Sequence, residues 1–132
     1  MNSYEQLLIV YYKLATYYAY HYNRCHPWIC GPKDTKESRY FISEIIDVCS
    51  KFFSMTHPIL IQVYMLKAFI AETEHYWHDA LEWAEKAQEL VNLDPDSYWF
   101  NYETRIINNT IHDCRRKMKP TLWNRLFNAP AV

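Results

Sequence analysis

Histidine and cysteine side chains cluster where the first predicted helix ends, at a spacing that could hold a metal ion. His21 and Cys25 lie one helical turn apart on the same face, and Cys30 follows in the next loop. A structural zinc site uses four such ligands. The fourth would have to be His26, Cys49 or His57. Because the spacing matches no zinc motif and free cysteines are often buried as small apolar residues, we predict no metal and no other cofactor.

Two further patterns could carry catalysis. Glu72 and His75 reproduce the Glu-x-x-His unit of di-iron bundles, but such a centre needs a second unit and two more carboxylates, and no second unit exists. A capped junction between two helices accounts better for this segment.

A nucleophilic site would need a Cys or Ser to meet a His and an orienting group in space, and no catalytic signature joins the four Cys and six His. We therefore predict that the protein is not an enzyme.

The composition argues against several other functions. Gly31 is the only glycine, whereas phosphate-binding loops and dinucleotide folds need glycines where the backbone approaches the ligand. The net charge of −1 gives no drive toward nucleic acid or acidic membranes. The N-terminus lacks the basic start and apolar run of a secretion signal, and no apolar stretch is long enough to span a membrane. We predict a cytoplasmic protein with reduced thiols, without a nucleic-acid or membrane partner.

Helical periodicity dominates the chain, and its interruptions predict five helices. Prolines and a glycine within residues 26–32 separate the first two helices, and a very short connection forces the third and fourth to lie antiparallel. The helices are predicted from Ser3 to about Asn23, from the Asp34 cap through Phe53, from Pro58 to about Thr73, from after Tyr76 to near Asn92, and from Asp94-Pro95 to about Met118. We predict one helical domain over residues 1–132, in which residues 119–132 form a C-terminal tail or a short docking helix.

The segment Tyr76–Ala87, followed by Leu93-Asp94-Pro95, carries alanines at spacings of four and three on one helix face. It resembles the second helix and exit turn of a tetratricopeptide repeat, in which a small residue sits where the two helices of a repeat cross. These alanines are Ala80, Ala84 and Ala87; the matching positions of the preceding helix are Tyr64, Ala68 and Ala71, and Trp99 falls where the next repeat has a large aromatic residue.

The resemblance covers only residues 59–110. Ala68 replaces the glycine that the family has in its first helix, three extra residues lengthen the second helix before its proline, and the loop after the chain's first helix is too long for a standard repeat. We predict an all-α fold, a five-helix antiparallel array, built either as a tetratricopeptide-like superhelix or as a compact helical bundle.

The resemblance also implies a binding surface, because the first helices of the repeats line a concave groove that holds a partner segment. The positions that match this groove are Gln62, Met65, Phe69, Glu72 and Phe100. One variant of the family grips a C-terminal carboxylate with Lys and Asn here, whereas this chain has Met65 and Phe69, so the resemblance implies an apolar partner surface instead. Alternatively, Met65 and Phe69 simply pack on the preceding helix.

The C-terminal segment is basic and aromatic. Residues 115–125 carry five basic side chains and no acid, whereas residues 59–92 carry six acids and two lysines. The acids could steer a basic partner, or the basic tail could fold back onto them. Burying Trp123, Leu126 and Phe127 would contribute about 1.5–3 kcal/mol each, so we expect them to dock on the domain's last groove, on a partner or second copy, or on a membrane surface.

Two hypotheses of function follow. The first is a protein-interaction module, such as an adaptor, a chaperone or an inhibitor/immunity-type binder, that holds a segment of a partner protein in a helical groove. Its predicted binding residues are Gln62, Met65, Phe69, Glu72, Phe100, Trp123 and Phe127. The second is a structural protein that assembles into a homo-oligomer, for example a homodimer, through its first helix and tail. Aromatic residues form 17% of the chain, and Tyr and Trp are common at contact surfaces.

Overall fold

The computed structural model describes residues 3–23, 36–93 and 99–119, and over these residues the chain forms five α-helices and no strand. The helices are α1 (Ser3–Asn23), α2 (Lys36–Phe52), α3 (Ile59–Thr73), α4 (Trp77–Leu93) and α5 (Trp99–Met118). The predicted all-α fold is confirmed. The predicted start of the fifth helix at Asp94-Pro95 and the predicted tail lie outside the described residues, as do the side chains of residues 21–23 and 99–103.

The chain reverses direction between α3 and α4 within a short turn. The His75 amide donates to the Glu72 carbonyl at 3.1 Å, and the Tyr76 amide donates to the Ala71 carbonyl at 2.9 Å. These two bonds form a Schellman cap, which requires a left-handed residue just after the helix. His75 takes this conformation with φ 63°, although glycine adopts it with less strain. The turn directs α4 back along α3.

Consecutive helices run antiparallel. Between α1 and α2, the Tyr4 ring stacks on Phe52 with 3.9 Å between centroids. Farther along α1, the Ala15 carbonyl accepts a 2.8 Å hydrogen bond from the buried Ser38 hydroxyl. Rising residue numbers in α1 therefore meet falling numbers in α2. The same order joins α4 to α5, where Gln88 bonds to Asn108 and Glu85 pairs with Arg115.

Alternate helices run parallel. Near the starts of α1 and α3, Ile9 and Gln62 line the same cavity. Near their ends, the Tyr20 and Phe69 rings lie 4.6 Å apart between centroids. Both a stack of helical hairpins and an up-and-down bundle produce this order, so the tetratricopeptide-like superhelix stays a prediction.

The core consists of apolar clusters that meet at α3. One cluster joins α1, α2 and α3 and includes Leu8, Ile45 and Leu60, whereas another joins α3, α4 and α5 around Ile107. The predicted close crossing of α3 and α4 lies in the second cluster. Three alanines of α4 are fully buried: Ala80, Ala84 and Ala87. Ala84 and Ala87 share the second cluster with Ala68 of α3, and Ala80 lies in a smaller cluster. Small side chains at such a contact shorten the distance between the helix axes.

Helix α1 is apolar on nearly all sides, but the described part of the fold covers only one of them. Leu8, Ala15 and Ala19 are buried against the first cluster. Val10 and Tyr17 point away from it and remain about half exposed, at 50% and 56%. The sequence predicts that this helix is buried on more than one side or contacts a second chain, and the uncovered side is where such a contact would form.

Candidate functional site

Of the two metal-binding patterns in the sequence, the di-iron unit is not assembled among the described side chains, and the zinc pattern lies outside them. Within residues 3–20, 36–93 and 104–119, no group of three His, Cys, Asp or Glu side chains could hold a metal ion. The pattern of His21, Cys25 and Cys30 lies outside this part of the chain. Glu72 is half-buried, whereas His75 is exposed in the turn, with its ring 5.5 Å from that of Trp77.

The described thiols are poorly suited to act as nucleophiles. Cys49 and Cys114 are buried and unbridged. Burial raises the pKa of the Cys49 thiol. Burial and the nearby carboxylates of Glu72 and Asp113 raise the pKa of Cys114 to about 11. Both thiols are therefore protonated at neutral pH, and the thiolate is the reactive form.

The four groove positions predicted on α3 share one face of that helix, and all four are half-buried. We call Gln62, Met65, Phe69 and Glu72 the α3 face. Met65 packs on the second cluster beside α5, and Phe69 packs on the first cluster and on Tyr20 of α1. The alternative prediction from the sequence is that both pack on the preceding helix; instead, the two side chains pack against different clusters. Neither is a freely exposed anchor.

An apolar cavity opens at the N-terminal end of the α3 face. It has a volume of about 300 Å³ and lies between the first turns of α1 and α3. Leu8 and Ile9 of α1 line one side, and Ile59 and Gln62 of α3 line the other. This volume lies at the lower end of the range for small-molecule sites and is sufficient for one or two apolar side chains of a ligand.

Exposed apolar side chains of α1 continue from this cavity along the helix. We call Ile9, Val10, Tyr17 and Tyr20 the α1 strip. Their exposed fractions are 38%, 50%, 56% and 45%. Because Ile9 borders Gln62 and Tyr20 borders Phe69, the α1 strip and the α3 face form one surface. The exposed Lys13 lies within the strip, four residues from both Ile9 and Tyr17. The sequence showed that α1 is apolar, but not which of its residues lie beside α3.

Acidic groups lie at the far end of this surface. Burial raises the pKa of the Glu72 carboxyl above its ordinary value, and the Asp113 carboxylate on α5 raises it further. Asp113 is 3.8 Å from Arg116, measured from Oδ1 to a guanidinium nitrogen. Among the described residues Glu72 has no ion-pair partner. A positive charge placed beside Glu72 would stabilise its ionised carboxylate, and so would oppose the rise in pKa caused by burial and by Asp113.

Replacing Glu72 with glutamine should stabilise the folded protein near neutral pH. The folded state raises the pKa of this carboxyl, so it favours the protonated form, and stability declines as pH rises through the folded pKa. The amide cannot ionise and avoids this decline. Urea unfolding should show the variant more stable than wild type at neutral pH and equal to it below pH 4.5, the ordinary pKa. Glu89→Gln, at an exposed position of α4, is the control; an equal gain there would contradict the assignment.

The remaining predicted binding residues are not among the side chains described. Phe100 lies within α5, but its side chain is not described. Trp123 and Phe127 follow the last described residue. No described helix combines the length and apolarity needed to span a membrane.

The chain matches no family model, and no curated protein sequence or solved structure is significantly similar to it.

Proposed function

We propose that this protein is an interaction module that binds an apolar segment of a partner protein along the α1 strip and the α3 face. One observation supports the proposal above the others: the apolar cavity at Ile9 and Gln62 continues into an exposed, largely apolar surface that ends at Tyr20 and Phe69 and includes one charged side chain, Lys13. Contiguous apolar surface with polar edges is typical of protein-binding sites. The module would act in the cytoplasm, as an adaptor, a chaperone or an inhibitor/immunity-type binder.

The chemistry of this surface favours an amphipathic helix or a short extended segment as the partner. An apolar side chain of the partner would enter the cavity, and further apolar side chains would cover Val10, Tyr17 and Tyr20. A lysine or arginine at the far end would meet Glu72, whose pKa is raised by burial and by the nearby Asp113 carboxylate. The resemblance to tetratricopeptide repeats points to the same place, because their first helices also line the groove.

Selection of peptides on the immobilised protein tests this proposal. We expect displayed peptides of random sequence to converge on two or more apolar residues at helical spacing and a basic residue at one end. Ile9→Asp should weaken the selected peptides roughly 10- to 100-fold, because burying an apolar side chain is worth about 1.5–3 kcal/mol. Isothermal titration calorimetry measures the change.

Tyr40→Asp supplies the matched control, since it places the same charge on an exposed aromatic residue of α2, which is 58% exposed. Circular dichroism of both variants verifies that they remain folded. Equal affinity of the peptides for wild type and Ile9→Asp would show that they bind elsewhere. If no sequence is enriched on the wild-type protein, the proposed function itself is wrong.

Self-assembly through α1 is the second candidate. It is favoured by the number of large side chains that this helix leaves exposed; besides the α1 strip, these are Tyr4 and Tyr18. Two copies could cover these residues by packing their α1 helices together. Sedimentation equilibrium separates the candidates: a dimer that Tyr17→Asp dissociates supports self-assembly, whereas a monomer leaves the surface available to a different protein.

A further inference from the structure

A second cavity lies on the opposite side of α3, where α2, α3 and α4 meet. Its volume is about 260 Å³. Lys67 of α3 lines it together with Arg39 and Ser43 of α2 and with Asp79 and Trp83 of α4. None of these residues belongs to the α1 strip or the α3 face. The cavity is therefore separate from the surface to which the proposed function was assigned.

An aromatic ring holds two cations beside this cavity. The ammonium nitrogen of Lys67 lies 3.7 Å from the centroid of the Trp83 ring, and that of Lys86 lies 4.3 Å from it. The Tyr64 ring stacks on Trp83 with 5.6 Å between centroids. Cation–π contacts orient an ammonium group but leave its positive charge unbalanced. The Trp83 ring thus positions the Lys67 ammonium group beside the cavity.

Of the three cations near the cavity, Lys67 differs in lacking a carboxylate partner. Arg39 pairs with Glu74, and Lys86 lies 3.8 Å from the Glu82 carboxylate. Lys67 has no ion-pair partner among the described residues. Burial lowers its pKa, and the charges of Lys86 and Arg39 lower it further. A half-buried ammonium group in this setting is stabilised by one additional negative charge.

We infer that this cavity binds one carboxylate from an acidic segment of a protein, with Lys67 as its charge partner. The carboxylate would accept hydrogen bonds from the Lys67 ammonium group and the Ser43 hydroxyl. The aliphatic part of a glutamate side chain would lie against Ile70 and the Trp83 ring, which also line the cavity. Asp79 lies in the same wall and repels a dianion more strongly than a monoanion, which favours a carboxylate over a phosphate group.

Nuclear magnetic resonance on the full chain tests this inference with the capped peptide acetyl-Gly-Glu-Gly-amide. We expect saturable shifts of the Trp83 indole N–H and of the Lys67 side chain, together with an increase in the pKa of Lys67. Lys67→Gln should weaken binding about tenfold or more, because it removes the charge that the hydrogen bond to the carboxylate depends on. Lys67→Arg keeps the positive charge and can still lie over an aromatic ring, so it should bind the peptide more tightly than Lys67→Gln.

Three controls make the result decisive. Lys51→Gln removes the same charge at an exposed position of α2 that pairs with Asp47 at 3.1 Å, and it should leave binding unchanged. Acetyl-Gly-Gln-Gly-amide lacks the carboxylate and should not bind. Inorganic phosphate should bind more weakly than the glutamate peptide. Equal binding by Lys67→Gln, absence of saturation, or a preference for phosphate would each overturn the inference. None of these results depends on whether peptides bind the α1 strip.

Discussion

Replacing Ala84 with leucine should destabilise the protein by about 1–3 kcal/mol, because it forces a larger side chain into a close helix contact. Ala84 is fully buried, and it packs in one cluster with Ala68 of the facing helix. Leucine favours the helix nearly as well as alanine, so the loss would arise from packing between α3 and α4. Urea unfolding followed by circular dichroism measures it, as a lower midpoint with an unchanged dependence on urea concentration.

Glu89→Leu is the matched control for this substitution. It introduces the same side chain on the same helix at an exposed position, where we expect a change within about 0.5 kcal/mol. If Ala84→Leu is as stable as Glu89→Leu, then α3 and α4 do not approach as closely as the buried alanines require. The resemblance to tetratricopeptide repeats would then lose the structural feature on which it rests.

The close helix contact also connects stability with the proposed binding surface. The orientation of the α3 face depends on this contact, because Ala68 of α3 packs against Ala84 and Ala87 of α4. A side chain that pushes α4 away would tilt α3 relative to α1 and change the cavity between Ile9 and Gln62. Weaker peptide binding by Ala84→Leu would therefore not by itself locate the binding site. Ile9→Asp, which alters the surface directly, is the substitution that does.

Local sequence signals were sufficient to predict the helices. Pro58 lacks an amide hydrogen, so it suits the N-terminus of a helix, and it immediately precedes α3. The predicted end of α3 at Thr73 also agrees with the structure. In contrast, nothing in the sequence indicated that His75 would take the left-handed conformation. That conformation results from the cap between two packed helices, and a residue other than glycine adopts it only when its surroundings impose it.

The candidate sites were predicted only in part, because they combine residues that are distant in the sequence. The resemblance to tetratricopeptide repeats pointed to Gln62 and Phe69, and these two residues do share one face of α3. The sequence could not show that Ile9 and Tyr20 complete the surface, because α1 is apolar on nearly all sides and its periodicity does not indicate which side is covered. The environment of Lys67 depends on Arg39 of α2 and Trp83 of α4, and no local pattern relates these three residues.

Replacing Ile107 with alanine should destabilise the protein by about 2–5 kcal/mol and should test whether the chain is one domain. Ile107 is fully buried in the cluster that joins α3, α4 and α5. Ile45, equally buried, lies in the cluster that joins α1, α2 and α3. Because α3 contributes to both clusters, we expect the loss of stability caused by Ile107→Ala to extend to α1 and α2.

Hydrogen exchange under native conditions measures how far the loss extends, with Ile45→Ala as the reciprocal variant. In one cooperative domain, either substitution lowers the protection of the slowest amides in α2 and in α4 by a similar free energy, because these amides exchange through global unfolding. In two independent units, Ile107→Ala would lower protection in α4 and leave α2 unchanged, and Ile45→Ala would do the reverse. That result would contradict the single domain. It would also mean that α1 and α3, the two helices of the proposed binding surface, belong to units that unfold separately.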